Sequence, residues 1–461
     1  MSKLSITLKD LFSAEERDYT SGNLNKAVLY LSVPMVLEMA LESVFSVVDA
    51  YFVGRLGSAA LAAVGITDAV ATLIFAIGIG ISLGTTAMVS RRIGEKKPGE
   101  AAKAAAQSIW LGVIVSIPIA IIGLVFSEEI LILMGATNDV IKIGSGFTTI
   151  LITGNITILL LFILNAVFRG AGDAIIAMRI LWISNAINII LDPVLIFGLG
   201  SFPELGVTGA AIATTIGRGS GVIIQMYALF KSKSRITLKV SDLKPDYKIM
   251  MKLVRISIGG ISQFIISTAS WIGLVRILAL FGSAALAGYT IAIRIIIFSI
   301  MPSWGMANAA ATLVGQNLGA GNPQRAEKSV WIAGYSNFIF LMLIAIIFIS
   351  FPELLISLFT SDPETLRIGA RALRIISYGY GFYAFGMVMV QAFNGAGDTM
   401  TPTKINLFVY WLFQIPMAYL LARSFAFAED GVFWAITIAE GMLTVVSVLV
   451  FRTGKWKQKE V

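Results

Sequence analysis

No cysteine and no histidine occurs among the 461 residues. The first absence excludes disulfides and thiolate metal sites. The second removes the imidazole of hydrolase triads, the commonest transition-metal ligand and the usual switch near neutral pH. Proton chemistry must therefore fall to carboxylates. Charge is scarce as well, at 13% of positions against 57% hydrophobic, so water is not the solvent around most of this chain. No GxxxxGK[ST] loop occurs, which excludes ATP hydrolysis as a power source. Gly80-Ile81-Ser82-Leu83-Gly84 matches the hydrolase nucleophile pattern. It lacks the histidine that pattern needs, and it reads better as small-xxx-small helix packing. The chain is not expected to be an enzyme. Residues 1 to 24 lack an apolar signal core and carry Asp10, Glu15, Glu16, Arg17 and Asp18, so the first apolar helix should serve as its own insertion signal.

What the sequence does contain is apolar runs, one after another. A hydrocarbon layer about 30 Å thick needs roughly 20 residues per helical crossing. Twelve such spans are expected, at 27–52, 59–88, 105–126, 139–168, 174–199, 206–231, 250–281, 284–314, 329–351, 365–394, 400–424 and 429–451. They leave an N-terminal tail at 1–26, a basic linker at 232–249 and a C-terminal tail at 452–461, between an N-lobe at 27–231 and a C-lobe at 250–451. The net charge of +8 does not point to nucleic acid, because Lys and Arg concentrate in the segments on one side of these spans. That bias places both tails and the linker in the cytoplasm of an inner-membrane protein. Arg367, Arg371 and Arg374 are the exception, at an outer helix end.

The halves are a repeat with an offset of 225 residues. Gly57 to Ala62 recurs unchanged as Gly282 to Ala287; Gly94, Pro98, Ala101 and Lys103 recur as Gly319, Pro323, Ala326 and Lys328; Phe168-Arg169-Gly170-Ala171-Gly172-Asp173 returns as Phe393-Asn394-Gly395-Ala396-Gly397-Asp398. An even number of spans per half makes the repeats parallel. The expected fold is an all-α polytopic membrane protein of twelve helices in two six-helix repeats, related by a pseudo-twofold axis along the membrane normal. Folds of this kind place substrate at the repeat interface and alternate access around it. Each Gly-Ala-Gly-Asp is expected to be a tight turn, with Gly as a left-handed C-cap and Asp capping the next helix.

Ionisable groups inside the bilayer are costly and by default mark function. Span 1 carries Glu38, Glu42 and Asp49, which at 100° per residue fall within about 40° of one face, beside the helix-bending Pro34. Span 5 adds Asn185, Asn188 and Asp192 on one stripe, with Pro193 following. Asn165 on span 4 and Thr214 on span 6 are further candidates. Carboxylate, amide and hydroxyl oxygens at mid-membrane suit Na⁺ or a shared proton, and Asp49, Asn188, Asp192 and Thr214 form the candidate Na⁺ set. At the repeat offset Glu38 becomes Gln263, Glu42 becomes Ser267, Asp49 becomes Leu274 and Asp192 becomes Met417, which puts the ion site in the N-terminal half. Glu38, Glu42, Met35, Met39, Asn185 and Gln263 are candidates to line a substrate cavity. Arg218, Arg294 and Glu440 also sit mid-span, and Arg294 could pair with Glu440.

Pro34 and Asp49 on span 1, Asn188 and Asp192 on span 5 and the paired Gly-Ala-Gly-Asp turns resemble the multidrug and toxic compound extrusion (MATE) family, in particular its archaeal and DNA-damage-inducible type. The resemblance runs from about Ala27 to Phe451. It implies a V-shaped antiporter that exports organic, often cationic and amphipathic compounds in exchange for Na⁺ or H⁺, without other cofactors. The family's N-half cation site carries over onto Asp49, Asn188 and Asp192, less directly onto Asn165 and Thr214, and its bending first helix onto Pro34. Spans 7 and 10 lack the acids that some members place there, and Glu38 and Glu42 lie outside the family pattern. Because two fused halves already form a pseudo-dimer, a monomer suffices. A lipid-linked oligosaccharide flippase of the same superfamily is the alternative. It would want Arg or Lys for a pyrophosphate, and three acids on span 1 argue against it.

Overall fold

A computed structural model describes residue 12 and residues 16–231 and 234–461. The remaining parts of the N-terminal tail and of the linker lie outside the described residues. The described residues are nearly all helical. Ten helices are long and apolar enough to cross a membrane, and two bent helix pairs bring the number of spans to twelve. The straight spans are Leu24–Gly54, Ser58–Gly94, Pro98–Leu133, Ala174–Phe197, Gly206–Lys231, Tyr247–Phe281, Ser283–Gly319, Pro323–Ser350, Met400–Ser424 and Glu429–Arg452. Large apolar side chains left exposed along them, such as Ile114, Ile117, Ile121 and Leu124 of span 3, form the surface that lipid covers.

Spans 4 and 10 are not the continuous helices expected. Span 4 is Asn138–Thr153 followed by Asn155–Ala171 at 42°, and span 10 is Pro363–Ser377 followed by Tyr380–Gly395 at 57°. The breaks fall at Gly154 and Gly379, which are again 225 apart. Each glycine sits where a Cβ would press on a span two further along the chain: Thr215 Cγ2 of span 6 is 3.1 Å from the position a Gly154 Cβ would take, and Thr437 Cγ2 of span 12 is 3.2 Å from that of Gly379. A glycine inside an apolar run is tolerated by an unbroken helix, so the bend itself was not visible in the pattern. Span 11 differs from its counterpart in another way. It winds as α-helix at Met400–Asn406 and as π-helix at Leu407–Gln414, then repeats the change over Ile415–Tyr419 and Leu420–Ser424.

The chain forms two compact units. One, here the N unit, holds Leu37–Ile261; the other, the C unit, holds Asp18–Val36 together with Ser262–Val461. The units therefore exchange the first parts of spans 1 and 7 relative to the sequence halves, and the crossovers after Val36 and after Ile261 are 225 residues apart (261 less 36). Glycines make both arrangements fit. In the N unit, Gly80 lies so close to span 7 that a Cβ would come within 2.7 Å of Ile261 N and 2.8 Å of Ser257 O. In the C unit, the equivalent Gly305 lies directly on the backbone of Met35 and Val36. The Gly80-x-x-x-Gly84 motif is thus helix packing, as its spacing suggests.

Both Gly-Ala-Gly-Asp segments turn as expected at the glycine, with φ of +93° at Gly172 and +84° at Gly397. The N–H of Asp173 donates to Phe168 O (2.8 Å) and that of Asp398 to Phe393 O (2.9 Å), the six-to-one closure of a Schellman turn. Asp173 does not cap the next helix through its side chain, whereas Asp398 accepts the hydroxyl of Thr401 in the first turn of the next helix at 2.7 Å. Asp173 accepts from the backbone N–H of Arg235 in the linker at 3.1 Å, and Asp398 pairs with Lys459 of the C-terminal tail at 3.2 Å. Each turn therefore holds the segment that follows its own half's last span. Two of the three arginines in the first half of span 10 are partnered: Arg371 pairs with Glu429 (2.6 Å) and Asp430 (2.9 Å), and Arg374 with Glu353 (3.0 Å).

Candidate functional site

The polar residues predicted for the N-terminal half gather within the N unit, from four helices. Span 6 approaches span 5 at Gly217, where a Cβ would sit 2.8 Å from Asn188 Cβ, and Ser184 Oγ donates to Gly217 O at 2.7 Å. Thr214, one turn earlier, is buried on the same side of span 6. Asp192 is 0% and Asn188 3% exposed, yet neither side chain finds a hydrogen-bond partner among the described residues. Buried polar atoms normally have partners and a bare carboxylate is costly to bury, which makes Asp192 and Asn188 the candidate ion-binding groups. Asp49 on span 1 is near enough for its charge to act on Asp192.

The other acids are engaged. Asn185 Nδ2 donates to Glu42 Oε2 at 3.0 Å, which ties the span 5 stripe to the span 1 stripe. Glu38 is 0% exposed and faces Arg169 of span 4, with Arg169 Nη1 3.6 Å from Oε1. Asn165 is held by Gln225 of span 6, whose Nε2 donates to its Oδ1. The guanidinium of Arg218 lies over the Phe75 ring, 5.8 Å from its centroid, and the charges of Glu42, Asp49 and Asp68 act on it. Asp68, Arg169 and Gln225 were not singled out in the sequence as parts of this cluster. For Asp68 the signal was present, since its repeat partner is Ile293 and it follows the same loss of acid as the others.

Among the remaining candidates, Met35 is buried at the contact with Gly305, and Met39 is half-buried. Gln263 is engaged in the C unit, where its Nε2 donates to Asn394 Oδ1 (3.0 Å) and Thr399 O (2.9 Å). Glu440 does not meet Arg294, which is exposed; its carboxylate instead accepts the Tyr410 hydroxyl at 3.2 Å. No group of three His, Cys, Asp or Glu with metal-binding geometry occurs among the described residues. A cation held here would rely on amide and hydroxyl oxygens beside Asp49 and Asp192, and the orphaned oxygens of Asp192 and Asn188 fit that donor set.

Comparison with known proteins decides the family. The MatE family model matches this chain twice, at residues 34–194 and 260–420. The chain belongs to the MATE family. One match falls in each of the two sequence repeats of this MATE transporter. It is 28% identical over 440 residues to the probable multidrug resistance protein NorM of Thermotoga maritima, covering 95% of this chain and 94% of that one. It is 26% identical over 400 residues to an FAD transporter of Shewanella oneidensis, covering 87% and 88%. Among solved structures, a MOP superfamily transporter from Pyrococcus furiosus, described as having a binding pocket of reverse polarity, matches with a TM-score of 0.89 at 25% identity, over 97% of this chain and 100% of that one. The MATE transporter is thus a multi-pass membrane protein built from twelve helical spans.

Proposed function

We propose that this transporter is a secondary multidrug exporter of the cell membrane, exchanging organic and often cationic compounds for Na⁺ or H⁺ by alternating access. The observation that carries the reading is the buried carboxyl and amide of Asp192 and Asn188, without partners and within electrostatic reach of Asp49. Such a site holds a small cation or a proton and rejects larger cargo. In this reading Asp49, Asn188 and Asp192 bind the coupling ion, Thr214 adds a hydroxyl, and Asn165 positions span 4 against span 6 through Gln225. Ion binding draws Asp49 towards span 5, and Pro34 lets span 1 bend in response. Glu42, Asn185 and Met39 lie along the substrate path. Both tails face the cytoplasm, and one chain is the working unit. The multidrug names of the Thermotoga maritima relative and of MepA from Staphylococcus aureus, 24% identical over 431 residues, support an organic-compound exporter.

The test is efflux of a fluorescent organic cation from proteoliposomes, with a Na⁺ gradient and a pH gradient imposed separately. Wild type should respond to at least one gradient. Asp49→Asn should lose that response by about a hundredfold, the scale of losing an ion contact made throughout the cycle. Gradient-independent efflux, or full coupling in Asp49→Asn, overturns the reading. A protein that moves only anionic cargo would instead resemble the Shewanella oneidensis relative in its transport.

A further inference from the structure

Glu38 and Arg169 are the repeat counterparts of Gln263 and Asn394, each 225 residues earlier. The fold has kept both contacts and changed their chemistry. In the C unit the two amides bond each other in both directions, Gln263 Nε2 to Asn394 Oδ1 at 3.0 Å and Asn394 Nδ2 to Gln263 Oε1 at 3.3 Å. Further bonds join Gln263 to Thr399 O (2.9 Å) and Asn394 to Gln391 Oε1 (2.8 Å). In the N unit the same positions hold an ion pair at 3.6 Å, and neither oxygen of the fully buried Glu38 accepts a hydrogen bond from the described residues. As a strut a buried ion pair has no advantage, because an uncharged pair of similar shape does as well or better. What the ion pair offers and the amide pair does not is the ability to be switched off by a proton.

Its position makes that switch consequential. Glu38 lies one turn after Pro34 and two residues after Val36, where span 1 passes from the C unit into the N unit. The equivalent crossover of span 7, after Ile261, is followed by the non-titrating Gln263. The charged groups facing Glu38 are Arg169 from span 4 and Glu42 from its own helix, and Glu42 is itself held by Asn185.

We propose that Glu38 and Arg169 are positioning residues that form a charge clamp: the pair holds span 1 on span 4 while Glu38 is ionised and releases it when Glu38 takes up a proton. The amide pair at 263 and 394 is the permanent form of the same clamp, so that span 1 moves during transport and span 7 does not. The use of the clamp in transport rests on the exporter reading. The clamp itself does not.

The absence of cysteine allows a test that needs no transport. Val47→Cys on span 1 and Ile190→Cys on span 5, exposed by 58% and 65%, take spin labels at those two sites alone. In liposomes, the distance between the labels should shift between neutral and acid pH. Transplanting the C-unit chemistry, Glu38→Gln with Arg169→Asn, should abolish the shift while the protein stays folded and monodisperse. A shift that survives the transplant, or no shift in either protein, overturns the clamp.

Export in proteoliposomes gives the second readout. Arg169→Asn alone strands a buried carboxylate and should lower export by about tenfold or more. Adding Glu38→Gln makes the clamp permanent, so export should stay low at every pH although the stranded charge is gone, and Glu38→Asp should keep the wild-type profile shape. A double variant that exports at the wild-type level, or one with an unchanged pH profile, overturns the proposal. If the wild type does not export and the label shift behaves as expected, the clamp stands and the exporter reading fails.

Discussion

The two units of this transporter share their backbone devices and differ in their charges. Both bend a span at a glycine, Gly154 or Gly379; both seat the other half's helix on a glycine, Gly80 or Gly305; both close a Gly-Ala-Gly-Asp turn onto the segment after their last span. The N unit concentrates Glu38, Glu42, Asp49, Asp68 and Asp192 with Arg169 and Arg218. The C unit answers at those positions with Gln263, Ser267, Leu274, Ile293, Met417, Asn394 and Leu443, and holds a buried acid of its own, Glu440, against a tyrosine. A duplicated membrane scaffold is constrained by close packing, because small residues at crossings have no substitutes. Its polar residues are free to diverge, because an unneeded buried charge is costly and is lost. Charge survived in the N unit, which is why the proposed ion site is placed there.

The comparison breaks most severely at its shared devices. Gly80→Val and Gly305→Val should each remove folded protein, with a loss of about 3 kcal/mol or more, because the added Cβ meets the backbone of a facing helix at both sites. Thermal unfolding in detergent checks this, and the two losses should be similar if the crossovers are equivalent. Next comes Asp192→Met, which gives the N unit the residue of the C unit. Gradient-driven export should fall by about a hundredfold while thermal stability holds or rises, because the change removes a buried, unpartnered carboxyl. Loss of stability together with loss of export would make Asp192 a structural residue.

A smaller effect is expected in the C unit. Tyr410→Phe leaves Glu440 without its hydroxyl donor and should cost about 1–3 kcal/mol, most of it recovered in Tyr410→Phe/Glu440→Leu. The ion that drives export should be unchanged. Smallest of all is Lys459→Ala, which removes a half-exposed lysine from the buried Asp398 while the Thr401 hydroxyl still donates to that carboxylate, and should change stability by about 1 kcal/mol.

The span count, the repeat and the acid stripe of span 1 were legible in the sequence because membrane insertion, duplication and helical periodicity each leave a one-dimensional mark. Spans 6 and 11 agree with their expected limits to the residue, at Gly206–Lys231 and Met400–Ser424. The bends at Gly154 and Gly379 left no such mark, since the hydropathy of a broken span equals that of a straight one. The partners of the acids were equally hidden. Charge alone suggested Arg294 for Glu440, but one is exposed and the other is buried against Tyr410. In the sequence Arg169 belongs to a turn motif, and only the fold sets it beside Glu38.

By itself, then, the sequence determined that this chain lives in a membrane, that it is a parallel duplication and that its N-terminal half carries the ionisable groups. Those properties follow from composition, offset and helical period, each of which needs no knowledge of distant neighbours. The tertiary structure decided which acids are partnered and which are bare, and that spans 1 and 7 change units at equivalent points. Those outcomes depend on helix crossings set by single glycines and by close packing between segments far apart in the chain, which no local pattern encodes.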